Sequence, residues 1–206
     1  MKKRFILPIL FFLILSVTCF GQETGSEKKW DFRADGNFYF LPEEFIFLPV
    51  LAADRDHLHL EMRYNYEDLN TLSTWVGYNF YGGNKLEYFL TPMLGLVVGN
   101  SDGIALGFEA TLTLGSFEFY SESEYFIDFQ ESENEFAYTW TDLTYSPLDW
   151  LWTGISAQRT RLYQSELDLQ RGLMLGGGFK NLELTGYWYN LGSEDNFLLF
   201  TLSANF

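Results

Sequence analysis

Cysteine is almost absent from this chain of 206 residues, where Cys19 is the single example. Because a disulfide needs two cysteines, no internal disulfide bond is expected. Long apolar runs are also missing: no run after residue 22 approaches the roughly 18 residues that suggest a transmembrane helix. Packing and hydrogen bonding must therefore stabilise the fold, and any crossing of a membrane after residue 22 must be made by strands.

Basic residues are scarce, and three of the 13 Lys and Arg residues stand at positions 2–4. They precede an apolar run from Phe5 to Phe20, and Cys19-Phe20-Gly21 suits a signal peptidase. The pattern predicts a cleaved signal peptide over residues 1–21. An uncleaved anchor helix and a lipid anchor on Cys19 are the alternatives.

Cleavage would leave 10 basic residues against 28 acidic ones, a net charge of −18. Nucleic acid is not an expected partner, because its binding needs a basic surface.

What the chain has in abundance is alternation of apolar and polar residues. The stretch Ile104–Phe129 has the pattern of a β-hairpin that turns at Gly115-Ser116. The first arm has one wholly apolar face, and acidic residues lie on the opposite face of both arms. Side chains on a strand point to opposite faces in turn, so this pattern indicates strands with one greasy and one polar side. The same plan recurs from Leu58 onward and predicts ten strands.

The region before Leu58 decides the strand count. Residues 22–29 are polar and are expected to form a flexible lead to a single domain over residues 30–206. Trp30–Leu41 alternates, whereas Phe45–Ala53 is apolar on both faces and contains Pro49. Counting these two segments as a hairpin predicts an all-β, antiparallel, up-and-down transmembrane barrel of twelve strands. The alternative is ten strands with an N-terminal plug or periplasmic segment; both counts are even, as bacterial barrels require.

Two features predict local details of this barrel. Pro92 interrupts a strand pattern, so a β-bulge is expected there. With the C-terminus on the periplasmic side, the turns at 68–70, 99–103, 131–135, 164–168 and 192–196 fall on the outer side, and they are on average longer and more acidic than the turns opposite. Outer-membrane barrels show this asymmetry.

The apolar face has two opposite interpretations. In a membrane barrel it points to lipid, whereas in a soluble periplasmic barrel of the lipocalin kind it encloses an apolar ligand. Aromatic residues near predicted strand ends favour lipid, because amphipathic rings prefer the headgroup level. Among them are Tyr64, Tyr66, Tyr78, Trp150 and Trp152.

With the apolar face outward, the polar face lines the lumen. The candidate lining residues are Glu61, Arg63, Lys85, Glu87, Glu109, Glu118, Glu122, Glu124 and Glu183, joined by Asp142, Arg159 and Arg161 if the strand registers allow. One interpretation is a charge-paired plug, because buried charges need partners. The other is an acid-lined passage that favours cations.

Catalysis has little support in the sequence. His57 and His59 are the two histidines, and they stand beside Asp54 and Asp56 on a polar face. Such a group would suit a metal or acid–base chemistry. Their place at a strand start favours solvated residues on the periplasmic rim instead. We expect no enzyme activity, no cofactor and no metal.

The apolar run at the N-terminus, the amphipathic strands and the terminal LFTLSANF together resemble Gram-negative outer-membrane β-barrel proteins, particularly small members without an assigned function. The resemblance implies a location in the outer membrane, with its lipids as partners. It also implies that Phe206, at the end of the last strand, is a signal read by the barrel-assembly machinery.

The expected function is a narrow pore for small, cationic solutes or a structural barrel. The alternatives are a lipocalin-like periplasmic binder of an apolar ligand and a lipid-modifying outer-membrane enzyme.

Overall fold

The computed structural model describes residues 29–161 and 168–206, without the side chains of Thr160, Arg161 and Asp168. The predicted signal peptide, most of the lead and most of the turn at 164–168 lie outside these residues. The described strands are β1 (Asp31–Phe40), β2 (Phe45–Arg55), β3 (Leu58–Tyr64), β4 (Leu72–Tyr78), β5 (Phe80–Gly83), β6 (Leu86–Val98), β7 (Gly103–Leu114), β8 (Phe117–Asp128), β9 (Phe136–Leu148), β10 (Leu151–Arg161), β11 (Asp168–Phe179), β12 (Leu182–Tyr189) and β13 (Phe197–Asn205), with a short 3₁₀ helix at Ser132–Asn134.

The strands form one closed antiparallel barrel. Neighbours in sequence pair throughout, apart from β4 and β5, which both pair with β6, and β1 pairs with β13 to close the ring. Because β4 and β5 pair with successive parts of β6, they count as one barrel strand. The thirteen strand segments therefore form a barrel of twelve strands. The prediction of a twelve-strand barrel is confirmed.

The N-terminal hairpin that decided this count is regular. Pro49 lies in β2 opposite Gly36 of β1, and the pairing runs without a shift from Asp31 to Phe40. The segment is therefore a barrel strand and not a plug. At the seam, the backbones of Phe32 and Phe206 exchange two hydrogen bonds of 2.9 and 3.0 Å, and their rings stack with centroids 6.2 Å apart.

The expected bulge at Pro92 is wrong. The pairing of β6 keeps the same register on both sides of the interruption, with Gly77 opposite Met93 and Phe80 opposite Leu90. The break falls in the partner strand at Asn79, whose backbone N–H donates to His57 O at 2.8 Å and so continues the pairing of β3 with β4. Proline has no N–H to offer the ladder, and the pairing is interrupted there without an inserted residue.

The apolar side chains point out of the barrel. On every described strand, this face carries large hydrophobic residues that are between 38% and 75% exposed. Charged and hydroxyl side chains such as Glu61, Arg63 and Thr91 are buried inside. A lipocalin-like barrel would show the reverse, so that alternative is wrong. In the described part of the chain, no helix is long and apolar enough to cross a membrane.

The two ends of the barrel differ. At one end, here called the termini end, β1 begins, β13 ends, and the described turns are the two-residue connections 56–57, 84–85, 115–116, 149–150 and 180–181. At the opposite end, the loop end, the described connections are 41–44, 65–71, 99–102, 129–135 and 190–196. The predicted alternation of short and long turns is present in these residues.

Two clusters of buried apolar and aromatic side chains fill part of the interior. The first consists of Trp75, Met93, Val97, Ala105, Phe126 and Phe136. The second consists of Trp140, Met174, Tyr187, Tyr189, Phe197 and Leu199. Tyr138 packs against both clusters. The barrel interior is therefore a packed layer over part of its length, and not an open tube.

Candidate functional site

A chamber of about 580 Å³ occupies the barrel interior toward the termini end. Its wall contains residues from both ends of the chain, including Arg33 of β1 and Asn205 of β13. The charged residues in this wall are the acids Asp35, Glu61, Glu109, Glu118, Glu122, Asp142, Asp149 and Glu183, and the bases Arg33 and Arg63. Among the described residues, eight carboxylates thus face two guanidinium groups.

Arg63 lies at the deep end of this chamber and is the centre of a buried ionic network. Its guanidinium hydrogen-bonds Glu61, donates to Glu122 Oε1 at 2.6 Å and lies 3.4 Å from Glu124 Oε2. Glu109 Oε1 is 3.6 Å away. Because β4, β6 and β7 separate β3 from β8, the contacts between Arg63 and the β8 carboxylates cross the lumen.

Two aromatic rings hold the same guanidinium. Its carbon lies 4.4 Å from the ring centroid of Tyr66 and 4.6 Å from that of Trp75. A cation between two ring faces is stabilised by their quadrupoles, most strongly when water is excluded. Arg63 is therefore fixed in place by charges and rings together.

Tyr66 belongs to the connection 65–71, which folds into the barrel. Its hydroxyl donates to Glu122 Oε1 at 2.7 Å, and its ring meets Tyr138 edge-on at 5.8 Å. The placement of Tyr66 in an aromatic belt at the membrane interface is therefore wrong. Asn65 and Asn70 flank the fold at φ values of 60° and 57°, a left-handed conformation that asparagine tolerates better than most residues.

The wall opposite Arg63 carries acids that have no basic partner among the described side chains. Asp142 accepts hydrogen bonds from Trp140 Nε1 at 2.7 Å and from the Tyr187 hydroxyl at 3.2 Å. For Glu118 and Glu183, the described residues include no ion pair. The chamber therefore combines a neutralised wall around Arg63 with an unneutralised acidic wall.

Trp152 lies in this acidic wall, so its placement in an aromatic belt at the membrane interface is also wrong. Its indole N–H donates to Thr185 Oγ1 at 3.2 Å. The ring lies against the backbone of β11, where a Cβ on Gly176 would come within 2.1 Å of Trp152 Nε1. Glycine at this position makes room for the ring.

The two histidines differ in their surroundings. His59 is buried, and its Nδ1 lies 2.9 Å from Asp54 Oδ1, so the expectation of a solvated residue is wrong for it. His57 lies in the rim and stacks on Tyr78 at 5.0 Å. No group of three or more His, Cys, Asp or Glu residues within 29–161 and 168–206 has the geometry to hold a metal ion.

Most of the residues expected in the lumen face it. Glu61, Arg63, Glu109, Glu118, Glu122, Asp142 and Glu183 line the chamber, and Glu124 lies in the buried network beside it. Lys85 and Glu87 lie exposed at the termini end and are not part of the chamber wall.

The direction in which Arg159 and Arg161 point depends on the register of β10. Ser156 and Gln158 are buried inside the barrel, which turns Arg159 to the outer face, where it is exposed. Its inclusion in the lumen is wrong. The Arg161 side chain lies outside the described residues. The pairing of β9 with β10 shifts between Leu151 and Thr153, an irregularity in the strand whose register the sequence left ambiguous.

Arg33, Asp35 and Tyr66 are lining residues that sequence reasoning missed. Alternation from Trp30 onward already placed Arg33 and Asp35 on the polar face of β1, so that signal was available. Tyr66 gave no comparable signal, because it belongs to a connection whose direction depends on tertiary contacts.

Closure, an exposed apolar outer face and a polar interior define the class of this molecule. A closed barrel leaves no strand edge, and every backbone group of its strands can be paired within the sheet. Membrane-spanning β-barrels combine these features with short turns at one end and longer loops at the other.

The comparison with solved structures gives the same class. The barrel is similar to KdgM porin, with a TM-score of 0.56 and 10% identity over 84% of this chain and 98% of that one, and to KdgM porin in complex with disordered oligogalacturonate with the same values. It also resembles the outer membrane protein Omp33 of Acinetobacter baumannii, with a TM-score of 0.49 and 12% identity over 87% and 99% of the two chains. Comparisons with protein-family models and with curated proteins give no match. The chain has the fold of the porin-type outer-membrane β-barrels.

Proposed function

We propose that this protein is an outer-membrane channel that admits small cationic solutes into the acid-lined chamber. The observation that carries the proposal is the charge of the chamber wall, where eight carboxylates face two guanidinium groups. Charges of one sign in a cleft with low-dielectric walls raise the local concentration of oppositely charged solutes. Rings of acidic side chains select cations in channels for this reason.

The chamber is not suited to acidic solutes. One similar structure, KdgM porin, is in complex with oligogalacturonate, whose sugar units carry carboxylates. In the present chain, Glu118 and Glu183 at the chamber wall would repel such a ligand. The shared fold therefore supports a channel, whereas the charges support a different class of solute.

A structural barrel is the second candidate, and the packed interior favours it. Phe126, Tyr189, Leu199 and Val97 each have 0% exposure, so no water contacts these layers. In a channel, this layer must rearrange before a solute passes. In a structural barrel, it stays packed.

Location and partners form part of the proposal. The exposed apolar face suits contact with outer-membrane lipids, and Phe206 at the seam suits a role in recognition by the barrel-assembly machinery. We propose no catalytic role. Recovery of the protein in a detergent-free periplasmic wash would contradict the membrane location, whereas heat-modifiable migration of the outer-membrane fraction on gels would support it.

Recording of purified protein in planar bilayers tests the channel. We expect cation preference in a salt gradient, and Glu118→Gln with Glu183→Gln should reduce it. One charge at short range in water is worth about 1 kcal/mol, or about fivefold in preference. The matched control is Glu43→Gln with Glu133→Gln, which removes the same charge from exposed residues of the loop end. Absence of channel events under all conditions would leave the structural barrel.

A further inference from the structure

The connection 65–71 places a second acidic residue, Glu67, inside the barrel. Glu67 is 5% exposed although it belongs to a loop. Ser73 of β4 lies near Glu67 and favours the charged form of its carboxyl group. Neither carboxylate oxygen of Glu67, however, accepts a hydrogen bond. Glu124 of β8 interacts with Glu67 and also has an oxygen, Oε1, without a hydrogen bond. Two buried carboxyl groups with unsatisfied oxygens thus lie near each other.

The surroundings provide too little positive charge for both groups. Arg63 of β3 is the cation that acts on Glu67, and it already contacts Glu61, Glu122 and Glu124. Glu122 of β8 adds repulsion. A buried charge without a dedicated partner is unfavourable, and a carboxyl group in such a place takes up a proton instead.

The same connection contributes Tyr66 to the packed layer that fills the lumen. Tyr66 contacts Tyr138, the ring that packs against both buried clusters, and it also contacts Arg63 and Glu122. Withdrawal of Tyr66 would remove the side chain that joins the ionic network to the aromatic packing. Of the described loop-end connections, 65–71 therefore has the contacts expected of a gate.

We propose that the connection 65–71 is a proton-dependent gate, which occupies the lumen while the carboxyl group of Glu67 is neutral and moves outward when it ionises. The proposal rests on the channel function above and assigns its regulation. Its stimulus is the proton, and its moving part is a seven-residue segment between β3 and β4.

The direction of the response follows from burial. Burial raises the pKa of Glu67 in the inward position, while Arg63 and Ser73 oppose the rise in part. In the outward position the carboxyl group is in water and has its ordinary pKa. The inward position is therefore favoured at low pH, and this preference is lost as the pH rises through the higher pKa. For one proton, the ratio of closed to open molecules changes by up to about tenfold per pH unit.

Outward movement would break few contacts at the rim. Ser101 Oγ donates to Asp68 Oδ2 at 3.0 Å, and Asn100 Nδ2 donates to Leu69 O at 2.7 Å. Both bonds tie the connection to its neighbour 99–102; the bond from Asn100 is exposed, so water can replace it, whereas Ser101 is buried. A covalent link at this point would hold the gate closed.

Bilayer recordings between about pH 5 and about pH 8 test the gate. We expect wild-type open probability to rise with pH by several-fold per unit. Glu67→Gln, which mimics the neutral acid, should hold the gate closed and flatten the profile. Glu133→Gln, an exposed control in the connection 129–135, should keep the wild-type profile. A pH profile that is flat in wild type, or unchanged by Glu67→Gln, would overturn the gate while leaving the channel intact.

Two further measurements separate failure of the gate from failure of the channel. Asp68→Cys with Ser101→Cys should form a disulfide that abolishes opening at high pH and releases it on reduction; channels that open normally with the disulfide formed would contradict the gate. Infrared spectroscopy detects protonated carboxyl groups without any conductance. The protonated carboxyl band that titrates in wild type should lose the intensity of one group in Glu67→Gln, and an unchanged band would refute the protonation of Glu67 even if the protein never conducts.

Discussion

Replacement of Arg63 by methionine tests whether the ionic network supports the barrel. Methionine keeps much of the volume but removes the charge, which leaves Glu61, Glu122 and Glu124 buried without their shared cation. Removing one partner of a buried ion pair costs about 3–5 kcal/mol, because the other charge stays buried and unpaired. Since Arg63 serves several carboxylates, we expect a loss near the upper end of that range.

The measurement is the free energy of unfolding in urea, with refolded protein in detergent or lipid. The matched control is Arg55→Met, which removes an exposed guanidinium whose described contact is with the ring of Trp30 at 5.7 Å. An exposed contact between a cation and an aromatic ring contributes about 0.5–1 kcal/mol. Equal losses for the two variants would refute the idea that the network is buried and uncompensated.

A second-site test follows from the same reasoning. If the loss in Arg63→Met comes from unpaired acids, Glu122→Gln in the same chain should recover part of it, because one of the stranded charges is then gone. If it comes from lost packing against Tyr66 and Trp75, Glu122→Gln should add to the damage. An interaction energy that shows recovery indicates unpaired acids, whereas a value near zero indicates lost packing.

Two further predictions concern the barrel wall and its seam. Gly176→Ala should destabilise the barrel by about 1–3 kcal/mol, because its Cβ would lie 2.1 Å from Trp152 Nε1. Gly178→Ala is the matched control on the same strand and face, since its nearest contact would be an ordinary 3.5 Å, and it should change stability by less than about 1 kcal/mol in urea unfolding. Phe206→Ala removes the ring that stacks on Phe32, and we expect less heat-modifiable protein in the outer-membrane fraction. Unchanged amounts of assembled protein would contradict a role for Phe206 in assembly.

The sequence predicted the barrel well because alternation is a local property. In most strands from Leu58 onward, the alternation itself indicates which residues face lipid, and acids such as Glu109, Glu118 and Glu122 are inside as that pattern implies. Arg159 was misplaced because β10 has no purely apolar face, so its neighbours could not fix the register. The register shift between Leu151 and Thr153 arises in the pairing with β9, so the sequence of β10 alone does not predict it.

The inward fold of the connection 65–71 depends on long-range contacts. Tyr66 and Glu67 adjoin a predicted strand end, where exposure is the ordinary expectation. Their burial depends on Glu122, Glu124 and Tyr138, which are more than fifty residues away in sequence. Likewise, the chamber is a property of twelve strands together, and alternation alone does not tell a packed interior from a hollow one.

The pairing of β1 with β13 has a consequence for biosynthesis. Arg33 of β1 pairs with Asn205 of β13, so β1 must wait until β13 has been made before it has a partner on that side. Until then both edges of the growing sheet expose unpaired N–H and C=O groups, which other chains can bind. A chain truncated before β13 would therefore be an open sheet with two reactive edges, and we expect it to aggregate or to be degraded. Pairing of β1 with β13 would therefore be the step that removes both edges and protects the molecule from aggregation.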